Sequence, residues 1–305
     1  MKAMRIHRYG DASVIHQDDV PRPAPARGEV LVRVAATSFN PSDLGLRRGL
    51  LRALLPLDLP CTLGGDVSGT VVEVGDGVRG LAVGDRVIGR GAGTAAEYVT
   101  AAADTLVAAP TAIPLAHAAA IPIAGLTAWQ AVFEHARITS GQRVLVNGAG
   151  GGVGGFAVQL ARHAGAHVVA TASRRSTEAV RQFGADQIID YTTTPFADAL
   201  DEPVDAILNL VAVDARQATT LVELVRPGGV VVSATGPVTP PAGSPVTAVH
   251  FVARNDQSHL AALVRLVDAG AVRVDITASR PLADLASVHR DAESGHTRGK
   301  IILVP

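Results

Sequence analysis

Hydrophobic and polar positions along the chain fall into two textures. Up to about residue 110, short apolar runs alternate with turn residues. Glu29-Val30-Leu31-Val32-Arg33-Val34 has the two-residue period of a half-buried strand, and the stretch from Val67 to Val74 repeats it. Gly75-Asp76-Gly77 and Gly84-Asp85 supply turns between such runs. This half predicts a small β-rich domain. From about residue 140 the order becomes strand, helix, strand. Arg143 to Asn147 is an apolar run entering a glycine cluster, Phe156 to His163 has helical spacing, and His167 to Thr171 is the next strand. A helix through Val180 follows, then strands at 187–190, 205–210 and 230–233. Strands separated by helices of this length predict a parallel sheet covered on both faces. The piece from Gly236 to Pro245 is a Pro/Gly-rich loop. Helices over 258–269 and around 282–293 and a last strand over 300–304 complete the chain, which shows no internal repeat.

The 305 residues leave room for about two domains. With 48% apolar and 18% charged residues the chain is globular rather than disordered. Twenty-seven basic against 28 acidic side chains give a net charge of -1, which argues against a polyanion such as nucleic acid as the main partner. The single cysteine, Cys61, excludes an internal disulfide and a cysteine-built zinc site, and it fits a reducing, cytoplasmic setting. The amino terminus lacks the pattern of a secretory signal. Thr105 to Phe133 carries no Asp, Glu, Lys or Arg, longer than the roughly 20 residues a membrane span needs. Pro110, Pro114, Pro122 and Gly125 interrupt it, so a buried, broken segment at a domain junction is expected, with no membrane partner.

The strongest chemical signal is Asn147-Gly148-Ala149-Gly150-Gly151-Gly152-Val153-Gly154-Gly155, between a strand and a helix. A pyrophosphate needs close backbone approach and N–H groups aimed from a helix start, where side chains would collide with it. Gly148, Gly151, Gly152 and Val153 are the expected cofactor contacts. Ala149 stands where the usual dinucleotide fingerprint has its first glycine, and Gly151 and Gly154 hold the other two places. An NAD site carries an acidic residue at the end of the second strand, whereas an NADP site carries a cation. Here that strand ends in Ser173-Arg174-Arg175, with no carboxylate before Glu178. Ser173, Arg174 and Arg175 therefore predict NADP(H).

Six further segments complete the picture: Phe39-Asn40-Pro41-Ser42-Asp43, Gly64-Gly65-Asp66-Val67-Ser68-Gly69, Val83-Gly84-Asp85-Arg86-Val87, Ala96-Glu97-Tyr98-Val99, Ile123 to Trp129, and Arg298-Gly299-Lys300-Ile301. In this order and spacing, over essentially the whole length, the chain resembles the quinone oxidoreductase (zeta-crystallin-like) branch of the medium-chain dehydrogenase/reductase superfamily. The resemblance implies an α/β protein with a GroES-like β-rich catalytic domain at 1–118 and 259–305. A doubly wound Rossmann NADP-binding domain at 119–258 is implied with it, as are an active site between the two domains and assembly as a homodimer. Zinc-dependent members place a cysteine where Asn40 stands and a His-Glu pair where Gly65-Asp66 stands, so the resemblance implies no metal site. Without a Lewis acid, the expected substrate is a small molecule activated by its own conjugation, a quinone or an α,β-unsaturated carbonyl. A catalytically silent NADPH-binding structural or regulatory protein is the competing expectation.

The resemblance also implies roles by position. Asn40, the catalytic candidate, is expected near the nicotinamide ribose and the substrate. Thr127 is expected to reach the cofactor from the domain junction, and Tyr191 to pack on the adenosine 2′-phosphate. Val211, Phe251 and Val252 are expected to flank the nicotinamide half. Lys300 is expected to touch a phosphate, against the alternative of a solvated lysine beside the last strand. Asp43 and Gly65 are assigned to the substrate pocket, Asp43 as a brace for its loop. Many relatives carry a bulky aromatic where Gly65 stands, so the resemblance implies a wider cavity, open to a bulky or polycyclic acceptor as well as to a small quinone. Asn147, in place of a frequent histidine, is expected to alter packing rather than chemistry.

Overall fold

The computed structural model describes residues 1–53 and 55–305. The chain divides into two units. The first comprises Met1–Ile123, Asn255–Gly270 and Ile276–Pro305, and the second Ala124–Arg254 and Ala271–Asp275. Among the described residues no helix is long and apolar enough to cross a membrane. The uncharged stretch after residue 105 instead holds a short strand, Leu106–Ala108, and the helices Leu115–Ala118 and Pro122–Trp129. A π-helical turn follows at Gln130–His135.

The first unit is built on two sheets. A small antiparallel sheet runs Ile15–Asp19, Lys2–Ile6, Cys61–Thr62. In the larger sheet the spatial order is Ile276–Pro281, Lys300–Val304, Glu29–Ser38, Asp66–Val74, Arg86–Arg90, Leu106–Ala108, and Tyr98–Ala102 also pairs with Glu29–Ser38. Val30, Val32 and Val34, alternating on one strand, bury with Val67, Val71, Val87 and Val99, as their period of two dictates. The strand Lys300–Val304 joins in antiparallel register, Ile302 opposite Ser38 and Leu303 opposite Thr37. The Phe39 N–H then donates to the Ile301 carbonyl at 3.0 Å. This pairing sets the end of the chain against Phe39-Asn40.

The second unit is a six-stranded parallel sheet. Its spatial order is Gln187–Asp190, His167–Ala172, Arg143–Asn147, Val204–Asn209, Val225–Ser233, Thr247–His250. In chain order this is third, second, first, fourth, fifth, sixth, the doubly wound order in which ligands bind at the carboxyl ends beside the first strand. Leu145, Val169, Ile207 and Val231, one from each of four strands, bury together in its core.

Two strands depart from the expected set. Thr247–His250 and Ile276–Pro281 lie at the edges of their sheets, and neither buries a single residue fully. A strand that presents no buried face carries no apolar alternation, which is why the hydrophobic pattern does not mark it. The fifth parallel strand also starts earlier than expected, at Val225, and passes through an irregular register between Val204 and Ala206 of its neighbour.

Candidate functional site

In the second unit, the first strand ends at Asn147 and the helix Gly152–His163 begins after Gly151. Gly148 has φ +93°, a conformation that side chains rarely adopt, and a Cβ there would stand 2.6 Å from Val211 Cγ1. A Cβ on Gly154 would overlap the Gly148 carbonyl and lie 2.6 Å from Ala149 Cα, so helix and turn pack with no room for any side chain. Gly151 differs: the nearest atom to its Cβ position is the Gly148 oxygen at 3.4 Å, an ordinary contact. With glycine at the N-cap, no side chain caps the helix and no acidic residue lies in its first turn. The main-chain donors of that turn are thus suited to an anion.

A chain of hydrogen bonds fixes this turn. The Gly148 N–H donates to Thr171 Oγ1 at 2.9 Å, Thr171 donates to Asn147 Oδ1 at 3.0 Å, and Asn147 Nδ2 donates to Asn209 Oδ1 at 2.9 Å. Asn209 Nδ2 in turn donates to the Val211 carbonyl at 3.0 Å and to Ser233 Oγ at 3.1 Å. Asn147, Asn209 and Ser233 are register partners on adjacent strands, and their side chains are buried, as is that of Thr171. Asn147 therefore orders the rim of the sheet, a role beyond the packing change expected of it.

After the second strand, the Ser173 carbonyl accepts from the Ser176 and Thr177 N–H groups, which rounds the turn into the next helix. Arg174 and Arg175 are exposed. Hydrogen bonds from Thr192 and the nearby Arg174 guanidinium hold the Asp190 carboxyl below the usual carboxylate range, although burial opposes them. Tyr191 follows Asp190 and is 54% exposed. Val211 is held beside Gly148. Phe251 is buried with its ring 4.4 Å from that of His135, and the adjacent Val252 is 85% exposed. Thr127 is half-buried in its helix.

In the first unit, Asn40, Asp43 and Lys300 come together with two residues the sequence did not single out for chemistry, Asp66 and Ser38. Asn40 is the N-cap of the helix Pro41–Arg48, and Asp43, three residues on, accepts the Asn40 N–H on Oδ2 at 2.9 Å. This is half of a capping box. Asn40 Nδ2 donates to Asp66 Oδ2 at 2.8 Å, and Lys300 Nζ donates to Asn40 Oδ1 at 2.7 Å and to the Phe39 carbonyl at 3.0 Å. Asp66 also accepts from Ser38 Oγ at 2.5 Å and from the Ile123 N–H at 2.8 Å, and its Oδ2 lies 3.7 Å from Lys300 Nζ.

Asn40, Asp43, Asp66 and Lys300 are all buried, Lys300 to 3% exposure. The solvated lysine is therefore not what forms; its ammonium is enclosed by protein acceptors. Burial pushes the Asp43 carboxyl up to about 7, helped by the Asp66 charge and opposed by the Asn40 N–H and Lys300. Burial also pulls Lys300 below the ordinary lysine value, against the Asp66 and Asp43 carboxylates.

Gly65 departs from the open space expected of it. A Cβ there would stand 2.9 Å from Ile123 Cδ1, so an isoleucine methyl already fills the root of the missing side chain. The left-handed backbone of this segment belongs to Gly64, at φ +94°, and not to Gly65.

These units match known families. Residues 26–111 match the alcohol dehydrogenase GroES-like domain, and residues 183–303 match a family described as zinc-binding dehydrogenase. A quinone oxidoreductase from Coxiella burnetii superposes with a TM-score of 0.89 and 31% identity, over 100% of this chain and 99% of that one. The chain belongs to the quinone oxidoreductase branch of the medium-chain dehydrogenase/reductase superfamily. An Escherichia coli quinone oxidoreductase, complexed with NADPH, superposes over 100% of both chains with a TM-score of 0.91 and 25% identity. A chloroplast envelope quinone oxidoreductase homolog from Arabidopsis thaliana is 41% identical over 213 residues, 67% of this chain. The match spans 64% of that plant relative's length.

The description of one matched family raises the question of zinc. Among the described residues, no three His, Cys, Asp or Glu side chains gather as a metal site. At the positions zinc members use, Asn40 has both ends of its amide engaged, Gly65 has no side chain, and Asp66 is saturated by three donors with an ammonium beside it. A tetrahedral zinc ion needs thiolate, imidazole or free carboxylate donors. This donor set does not fit one.

Proposed function

We propose that the protein is an NADPH-dependent, zinc-independent reductase of quinones or α,β-unsaturated carbonyls. The observation that carries this reading is the donor set around Asn40, Gly65 and Asp66, whose polar atoms are engaged with one another and which provides no Lewis acid. An acceptor reduced in such surroundings must bring its own activation, as conjugated carbonyls do. Bound NADPH supplies the hydride, and a proton taken up with it completes the reduction to a hydroquinone or a saturated carbonyl. The glycine turn at Gly148, Gly151, Gly152 and Val153 is assigned to the pyrophosphate, and Ser173, Arg174 and Arg175 to the 2′-phosphate. Tyr191 is assigned to the adenosine end, and Thr127, Val211, Phe251 and Val252 to the nicotinamide half.

Asn40 is assigned to the reacting end, with Asp43 bracing its loop. The size of the acceptor is set by Ile123 as much as by Gly65, because the isoleucine methyl fills the root of the missing side chain. A cytoplasmic location and a homodimer belong to the same reading and rest on the family resemblance. The test is NADPH oxidation over a panel of quinones and enones, with each product identified. Stoichiometric hydroquinone or saturated carbonyl supports the reading. Tight NADPH binding with no turnover on any acceptor contradicts it.

A further inference from the structure

Lys300 is a buried side chain of the Asn40 cluster to which no role is assigned above. It stands at the first residue of the last strand, whose pairing with Glu29–Ser38 carries it to Phe39-Asn40, 260 residues away in the chain. Its ammonium donates to the Asn40 amide oxygen at 2.7 Å and to the Phe39 carbonyl at 3.0 Å, and it lies 3.7 Å from the Asp66 carboxylate. On the other side of Asn40, the Asp66 carboxylate takes the amide N–H at 2.8 Å. An amide held between a cation and an anion has one orientation only. Turning it over would set donors against donors and acceptors against acceptors.

We propose that Lys300 is a positioning residue: an internal ammonium, set among the positions where zinc members carry metal ligands, that fixes the orientation of the Asn40 carboxamide. This rests on the reading of Asn40 as a residue of the reacting end. Lys300 thereby replaces two things at once. It neutralises Asp66, which would otherwise be a buried carboxylate without a cation, and it holds the amide that faces the chemistry.

The test separates holding Asn40 from balancing charge. Lys300→Met alone leaves Asp66 buried as an uncompensated anion and is expected to lose stability. Lys300→Met/Asp66→Asn removes both charges and should restore the melting temperature close to wild type. In that double variant, kcat with a quinone should remain about ten-fold or more below wild type, the scale of losing one charge-assisted contact. The NADPH dissociation constant, read by nicotinamide fluorescence, should stay near wild type. Independently of activity, the Asn40 Nδ2 protons should exchange slowly with solvent in the ¹⁵N spectrum of the wild type, and faster in the double variant.

If kcat and carboxamide exchange both return with the melting temperature, Lys300 only balances charge and the proposal is wrong. A raised NADPH dissociation constant with unchanged kcat makes Lys300 a cofactor contact and equally overturns it. So does fast solvent exchange of the Asn40 Nδ2 protons in the wild type. Should the wild type reduce no acceptor, the proposed function fails, while the exchange measurement still decides whether Lys300 holds Asn40.

Discussion

The glycine turn and the Asn40 cluster are built by opposite means. The turn is contiguous: Gly148 to Gly155 supplies its backbone, and what matters most within it is the absence of side chains. The cluster is assembled from Ser38, Asn40, Asp43, Asp66 and Lys300, on a strand end, a helix start and two further strands, and what matters is how side chains saturate one another. A turn made of missing atoms tolerates almost no addition. A cluster made of complementary charges tolerates the loss of a pair better than the loss of one member.

The sharpest break is at the turn. Gly154→Ala forces a methyl into the Gly148 carbonyl and Ala149, where backbone rather than a flexible side chain must yield. We expect NADPH affinity to fall by more than about a hundred-fold together with a lowered melting temperature. Gly151→Ala is the informative partner, because its methyl meets only an ordinary contact at 3.4 Å. That variant should melt like the wild type yet bind NADPH weakly if, as proposed, the turn cradles the pyrophosphate. If Gly151→Ala binds NADPH normally, the turn is structural and the cradle assignment is wrong.

A smaller effect is expected at the second strand's end. Arg174→Ala should weaken NADPH binding by roughly ten- to a hundred-fold, the value of about 1.5–3 kcal/mol for a charge-assisted contact, and leave NADH nearly unchanged. Equal affinity of the wild type for the two cofactors would contradict the assignment.

The smallest effect concerns stability in the first unit. His289 is fully buried, and neither ring nitrogen has a hydrogen-bond partner among the described residues. Its ring stands edge-on to Phe39 at 5.1 Å. Burial, with a lesser contribution from the Arg47 charge, depresses its pKa from 6.5 to about 3. Between those values the unfolded chain binds a proton that the native histidine does not, so stability falls as pH drops through that window. Asp43 runs the other way: its pKa is raised from 3.8 to about 7, so the native state holds an extra proton and stability falls as pH rises between them. Urea midpoints against pH should therefore show a steeper acid loss in Asp43→Asn than in wild type, and a shallower one in His289→Phe. Parallel profiles for all three proteins would show that neither group couples to folding.

The same contrast governs what could be read from the sequence. The parallel sheet and its glycine turn were legible because Val144 to Val146, Gly148, Gly151, Gly154 and Ser173-Arg174 are neighbours in the chain, so local spacing carries their meaning. Asn40 and Asp43 could be picked out by resemblance, but nothing in Arg298-Gly299-Lys300-Ile301 marks its lysine as buried. That follows only from the antiparallel pairing with the strand that ends at Ser38. Asp66 carries one signal, an acidic residue at the start of a mostly buried strand, and the resemblance marks it only as a position where zinc members carry a ligand. The filling of the Gly65 gap by Ile123 is likewise a contact between distant residues, and so is the hydrogen-bond chain through Asn147, Thr171, Asn209 and Ser233.

The central claim is that a conjugated acceptor is reduced from NADPH with no metal taking part. The most direct measurement uses NADPH with both C4 hydrogens replaced by deuterium, and an enone, after exhaustive dialysis of the enzyme against a strong chelator. The account predicts undiminished turnover, one deuterium on the β-carbon of the saturated product, and no zinc by elemental analysis. Turnover that vanishes on dialysis and returns with stoichiometric zinc, or product without deuterium, would contradict it.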